Sequence, residues 1–219
     1  CGDINGIGME VIIKALEDPR ILNHSTPIIY GSSKVLSYHK NIVNPEGFKI
    51  YNIKSTDQVQ EDRINVLNCW NETINIRLGE ITKESGTYAA LALEQATQDA
   101  VAGKIDCLVT APINKKAMSL AGFQYVGHTE YLKHMCNSED VLMMMCSEDM
   151  KVALATGHVP IQNVSSALSS DKIYNKTELL INTLKRDFGM EKPKIAVLGI
   201  QPHAGDEGTI GMEDEEITK

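Results

Sequence analysis

Hydrophobic and polar positions along this chain follow two alternating periods. Short apolar runs bounded by Gly, Pro, Asn or Asp predict strands at Pro27–Gly31 (PIIYG), Phe48–Ile53, Ile64–Asn68 (INVLN), Ile105–Ala111 (IDCLVTA), Val141–Cys146, Val152–Thr156 and Lys194–Ile200 (KIAVLGI). Helical spacing predicts helices at Ser33–Lys40, Ser85–Gly103, Asn114–Leu120 and Asp171–Gly189. In the second of these, Ala89, Leu93, Ala96 and Ala100 share one face and Gly103 is placed to stop it. Asp171 is a candidate N-cap of the last, and the polar stretch Ser55–Arg63 (STDQVQEDR) reads as a surface excursion. Strands alternating with helices predict an α/β fold with a mostly parallel sheet. A helix–strand unit ends at Pro112, so the expected division is a first α/β domain over 1–112 and a second over 113–219.

Composition agrees with that pattern. Hydrophobic residues make up 42% and aromatics only 5%, which suits aliphatic α/β layers better than an aromatic-rich sandwich. The net charge of -8 carries no basic patch, so nucleic acid is not expected as a partner, and an anionic ligand must be held locally. No apolar run reaches the roughly 18 residues of a membrane span. No charged-then-apolar leader opens the chain, so a cytoplasmic location is expected. The five cysteines, Cys1, Cys69, Cys107, Cys136 and Cys146, form no CxxC pair and read as buried reduced thiols. Both ends read as cut: Cys1 leads within a few residues into a Gly-rich loop, and Lys219 falls inside an acidic, helix-like stretch.

Ligands of an open α/β sheet gather at the carboxyl ends of its strands. His203 follows KIAVLGI, in Pro202-His203-Ala204-Gly205-Asp206. His158 follows KVALAT, in Gly157-His158-Val159-Pro160. Neutral imidazoles in such settings suit Zn²⁺ or Co²⁺, although each could equally hydrogen-bond a loop carbonyl. In Gly127-His128-Thr129-Glu130, Thr129 could cap a helix whose free N–H groups favour anions, which would bring His128 to a carboxylate or phosphate. The loop Gly2-Asp3-Ile4-Asn5-Gly6-Ile7-Gly8 is neither GxGxxG nor a P-loop, and a tight strand-to-helix turn explains its glycines as well as phosphate binding does. Lys115, after Val109-Thr110-Ala111-Pro112, could place a cation near a phosphate. His24, His39 and His134 have no comparable context and read as surface or helix residues.

These segments occur in an order that resembles the 4-hydroxythreonine-4-phosphate dehydrogenases. The matching pieces are GDINGIGMEV (Gly2–Val11), ESGTYAALALEQA (Glu84–Ala96), VTAPINK (Val109–Lys115), GHTEYL (Gly127–Leu132), VALATGHVPI (Val152–Ile161) and PHAGDEGTIGMEDEEI (Pro202–Ile217). The resemblance implies a fold like isocitrate and isopropylmalate dehydrogenases, with two α/β domains around a cleft at a homodimer interface. It implies His158 and His203 as ligands of a divalent metal (Zn, Mg or Co), and His128 and Thr129 as substrate contacts, with Lys115 and Asp3 as further substrate or phosphate contacts. The implied reaction is NAD- or NADP-dependent oxidation of 4-phosphooxy-L-threonine with decarboxylation to 3-amino-2-oxopropyl phosphate, in pyridoxal 5'-phosphate biosynthesis. Relatives acting on threonate or erythronate 4-phosphate form one alternative, and a non-catalytic metal-binding or dimerising fragment another.

Three positions depart from the family pattern. Ile4-Asn5 stands where Pro-Ala or Pro-Asn is usual, and Gly157 stands where a second Thr often precedes the histidine. The His-Asp-Gln segment that carries the third metal histidine has no counterpart here, nor do the nucleotide-binding segments beyond it.

Overall fold

Three of the expected strands pair in parallel. β1 (Ile28–Gly31), β2 (Ile50–Ile53) and β3 (Ile64–Asn68) form a sheet in the order β1-β3-β2. Ile29 lies opposite Val66 on one side of β3, and Tyr51 opposite Asn65 on the other. β3 is central, so Ile64 to Leu67 are all buried, as the continuous apolar run predicts. The polar exception, Asn65, is satisfied locally. Its Oδ1 accepts from Gln60 N at 3.0 Å, and its Nδ2 donates to the carbonyls of Gln60 and Arg63 at 2.9 and 3.0 Å.

The computed structural model describes residues 1–218. It separates into two compact units, Cys1–Glu139 and the residues from Asp140 onward. The first unit holds the parallel sheet and five helices: α1 (Gly8–Glu17), α2 (Ser33–Val43), α3 (Lys83–Val101), α4 (Lys115–Leu120) and α5 (His128–Met135). Ile4, Met9 and Ile13 meet Leu36, Val66 and Ala92 in its core. Thr82 caps α3 by accepting from Ser85 N at 3.0 Å, and Gly103 follows its end with φ 70°, as the pattern predicts. α4 lies so close to α3 that a Cβ on Gly86 would sit 2.0 Å from the Ala117 carbonyl oxygen.

The second unit pairs β4 (Met144–Cys146) with β5 (Lys151–Ala153) in antiparallel fashion and carries α6 (Ser170–Arg186). The cap of α6 is Ser169, accepting from Lys172 N at 3.2 Å, while Asp171 lies in the first turn. Among the described residues no helix is long and apolar enough to cross a membrane.

Several expectations change. Residues 105–111 and 194–200 have the apolar pattern of strands but join no ladder. The first runs along a cavity beside β1, with Val109 90% exposed, and a strand needs a neighbouring edge within hydrogen-bonding reach. In the second, Leu198 is 81% exposed. The compact units divide after Glu139, and α4 packs on α3, which keeps 113–139 with the first unit. The mostly parallel character holds for the sheet of the first unit only. The cysteines are free but not buried as a set: Cys107, Cys136 and Cys146 are exposed, two of them because the chain around them pairs incompletely.

Candidate functional site

The Gly2–Gly8 loop, the turn before α4 and the start of α5 come together in the first unit. Gly2 approaches Pro112 so closely that a Cβ there would lie 2.1 Å from the Pro112 carbonyl oxygen, so only glycine fits. The next amide, Asp3 N, donates to that same oxygen at 2.9 Å. The Asp3 carboxylate, half-buried, accepts from Asn5 N through Oδ1 at 3.0 Å. Asn114 caps α4 by accepting from Ala117 N at 3.0 Å, which starts the helix at Lys115 with its side chain exposed. Gly127 is the residue before α5, and a Cβ on it would lie 3.8 Å from Lys115 Cε.

His128 opens α5, and Thr129 follows in its first turn. Thr129 is therefore not the cap; Gly127 takes that position, with no side-chain bond to the first amides. The open N-terminus leaves amide donors and a partial positive charge available to an anion. His128 is half-buried, and burial lowers its pKa from the ordinary 6.5. It shares the wall of a cavity of about 830 Å³ with Ile29, Tyr30, Leu93, Ile105 and Leu108. At this wall Tyr30 donates to the buried Asp99 at 3.0 Å, and Lys104 pairs with Asp99 at 3.1 Å. Burial and that carboxylate push the Tyr30 phenol well above its usual range.

The two histidines of the second unit have a different setting. His158 and His203 are both exposed, and both take left-handed backbone, with φ 57° and 55°. Ala204 follows at φ 52°, so two consecutive non-glycine residues hold a strained turn. Asp214, 2% exposed, grips the base of that turn, accepting from Ile200 N at 2.8 Å and Gln201 N at 2.9 Å. Among the described residues no group of three or more His, Cys, Asp or Glu side chains is arranged to hold a metal ion. The residues present therefore do not form a complete metal site.

Of the residues singled out from the motifs, Asp3, Lys115, His128 and Thr129 lie on segments that the first unit brings together. The pattern did not mark Asn5, and it placed His39 as a bland helix residue. Both are 3% exposed; Asn5 hydrogen-bonds from the loop to the 77–82 turn, and His39 hydrogen-bonds to Ile4 O in the loop. The buried polar side chain in an otherwise glycine-rich loop was the available signal for Asn5.

The family model for the pyridoxal phosphate biosynthetic protein PdxA matches residues 23–219. This chain belongs to the PdxA family. A 4-hydroxythreonine-4-phosphate dehydrogenase of Bacteroides thetaiotaomicron is 40% identical over 218 residues, covering 99% of this chain and 59% of that protein. A protein of Oceanobacillus iheyensis, provisionally named a D-threonate 4-phosphate dehydrogenase, is 32% identical over 98% of this chain and 65% of its own length. The crystal structure of a 4-hydroxythreonine-4-phosphate dehydrogenase from Klebsiella pneumoniae superposes with a TM-score of 0.86 at 30% identity, covering 99% of this chain and 66% of that one. The chain thus spans about three-fifths to two-thirds of the PdxA relatives it matches. It is homologous to dehydrogenases, and its α/β fold is that of PdxA structures.

Proposed function

We propose that this chain carries the substrate-holding part of an NAD(P)-dependent dehydrogenase that oxidises 4-phosphooxy-L-threonine and releases CO₂ to give 3-amino-2-oxopropyl phosphate. The observation that carries the reading is the meeting of Asp3, Lys115 and the His128–Thr129 helix start around Pro112, in a chain of this family. A substrate phosphate would take the Lys115 ammonium and the open amides of α5. His128 is held toward its neutral form and can both donate and accept a hydrogen bond there. The Asp3 carboxylate is the natural partner of the substrate's ammonium group, which a threonate phosphate lacks. NAD or NADP, when bound, accepts the hydride. His158 and His203 are proposed metal ligands on their motifs alone; Zn²⁺ titration should weaken in both His158→Ala and His203→Ala, and unchanged affinity in both removes the assignment.

A second reading, a dehydrogenase of D-threonate 4-phosphate, is favoured by the Oceanobacillus relative. Calorimetric titration with the two phosphates separates them. We expect the amino compound to bind about tenfold more tightly, the effect of one charge-assisted contact, and Asp3→Asn to erase that preference. Equal binding, or a preference for the threonate compound, overturns the first choice.

A further inference from the structure

The Gly2–Gly8 loop is held at two points by buried side chains that the chemistry of the site does not itself use. We propose that Asn5 and His39 are positioning residues that hold the loop bearing Asp3 in place relative to the starts of α4 and α5, at Lys115 and His128; this rests on the reading that those three residues hold the substrate.

Asn5 sits in a loop yet is 3% exposed, and its side chain is fully engaged. Its Oδ1 accepts from Arg77 N at 2.9 Å, and its Nδ2 donates to Glu80 O at 3.1 Å and to Thr82 Oγ1 at 3.2 Å. Its backbone oxygen accepts from Gly79 N at 2.9 Å. Thr82 is the cap of α3, so Asn5 ties the loop to the start of that helix. α3 in turn seats α4 at the Gly86–Ala117 contact, and α4 begins at Lys115. The chain just before α4 returns to the loop, where Pro112 O accepts from Asp3 N. The circuit is closed. Asp3, Asn5, Thr82, Gly86, Ala117, Asn114 and Pro112 form a ring of contacts that links the loop bearing Asp3 to the start of α4 at Lys115.

His39 supplies the second point. It is 3% exposed on α2, and its Nε2 lies 2.9 Å from Ile4 O. A carbonyl only accepts, so the proton is on Nε2. Ile4 itself is 1% exposed in the core. Each neighbour of Asp3 is therefore anchored: Gly2 against Pro112, Ile4 by His39 and by burial, and Asn5 by the 77–82 turn.

The test uses the full 219-residue chain with Asn5→Ala, Asn5→Asp, His39→Ala and His39→Gln. Asn5→Asp keeps the acceptor and shape but loses both donors; His39→Gln keeps a donor at the reach of Nε2. Amide hydrogen exchange is read at Asp3 and at Met118 in the first turn of α4, whose amide donates to Asn114 O at 2.9 Å, with Leu93 in the body of α3 as reference, and inorganic phosphate affinity is measured well below each variant's unfolding temperature. We expect Asn5→Ala, Asn5→Asp and His39→Ala to speed exchange at Asp3 about tenfold while Leu93 changes little, as local loss of one or two hydrogen bonds implies. The Asn5 variants should also speed exchange at Met118. Phosphate affinity should fall in parallel, and His39→Gln should restore both. Folded variants whose Asp3 exchange stays at the wild-type rate overturn the proposal, as does exchange rising uniformly through Leu93, which marks mere global destabilisation. Lys115→Ala and His128→Ala keep the two failures apart. If neither weakens phosphate binding, the substrate reading fails while the exchange result still decides the positioning role.

Discussion

His128 lies half-buried at the start of α5, where burial disfavours its protonated form. Its folded pKa therefore lies below the ordinary 6.5, while the unfolded chain keeps that ordinary value. On acidification the unfolded state takes up the proton first, so stability falls as pH drops through the unfolded value and levels off below the folded one. His128→Gln should flatten the decline between about pH 7 and pH 5, measured as urea unfolding midpoints across that range. Equal slopes in the two proteins would sink the idea. At this scale the motifs marked Asp3, Lys115, His128 and Thr129, because their chemistry shows in their local neighbours. They passed over His39 and Asn5, because what makes those two matter is a partner far along the chain. His39 meets Ile4 and Asn5 meets Thr82, contacts that no spacing rule reports. Tyr38, adjacent to His39, is 42% exposed, so one residue on α2 separates a surface ring from a buried anchor.

Among the elements, α3 carries the most weight, since it seats both the Asn5 anchor and α4. Thr82→Ala should cost about 1 kcal/mol through the lost cap, and it should also loosen the Asn5 side chain, whose Nδ2 donates to the same hydroxyl. Chemical denaturation measures the first effect; a shift of the Asn5 side-chain amide resonance reports the second. Gly86→Ala should cost more, about 1–3 kcal/mol of overpacking, because its Cβ would stand 2.0 Å from backbone that cannot swing aside. A variant as stable as the parent in urea would show that α4 moves freely on α3. The strands were legible where both edges of the pattern were met. β1, β2 and β3 fall within the predicted runs, because each is short, apolar and bounded by turn residues. Residues 105–111 and 194–200 show the same signal and join no sheet, because a pattern describes which side chains tolerate burial and says nothing of whether an edge is within reach.

For the molecule as a whole, the two compact units meet in sequence at an exposed stretch. Residues 136–140 are all exposed, and Asn137 turns with φ 47°. Brief digestion with a glutamate-specific protease should cut first after Glu139 and release the first unit as a persistent fragment. Early cleavage within α3 or the 77–82 turn would contradict the division. The sequence by itself determined the family, through motif order, and the helix and strand periods, through side-chain chemistry repeated over neighbouring residues. It also carried the glycines at Gly2 and Gly86, though not their reason. Only the tertiary structure decided that Gly2 and Gly86 face the carbonyls of Pro112 and Ala117, that 113–139 belong with the first unit, and that Asn5 and His39 hold the loop bearing Asp3. The physical reason is the range of the forces involved. Propensity and capping act within a turn or two of the chain, whereas buried hydrogen bonds and close backbone contacts join segments tens of residues apart, and those are set only when the chain has packed.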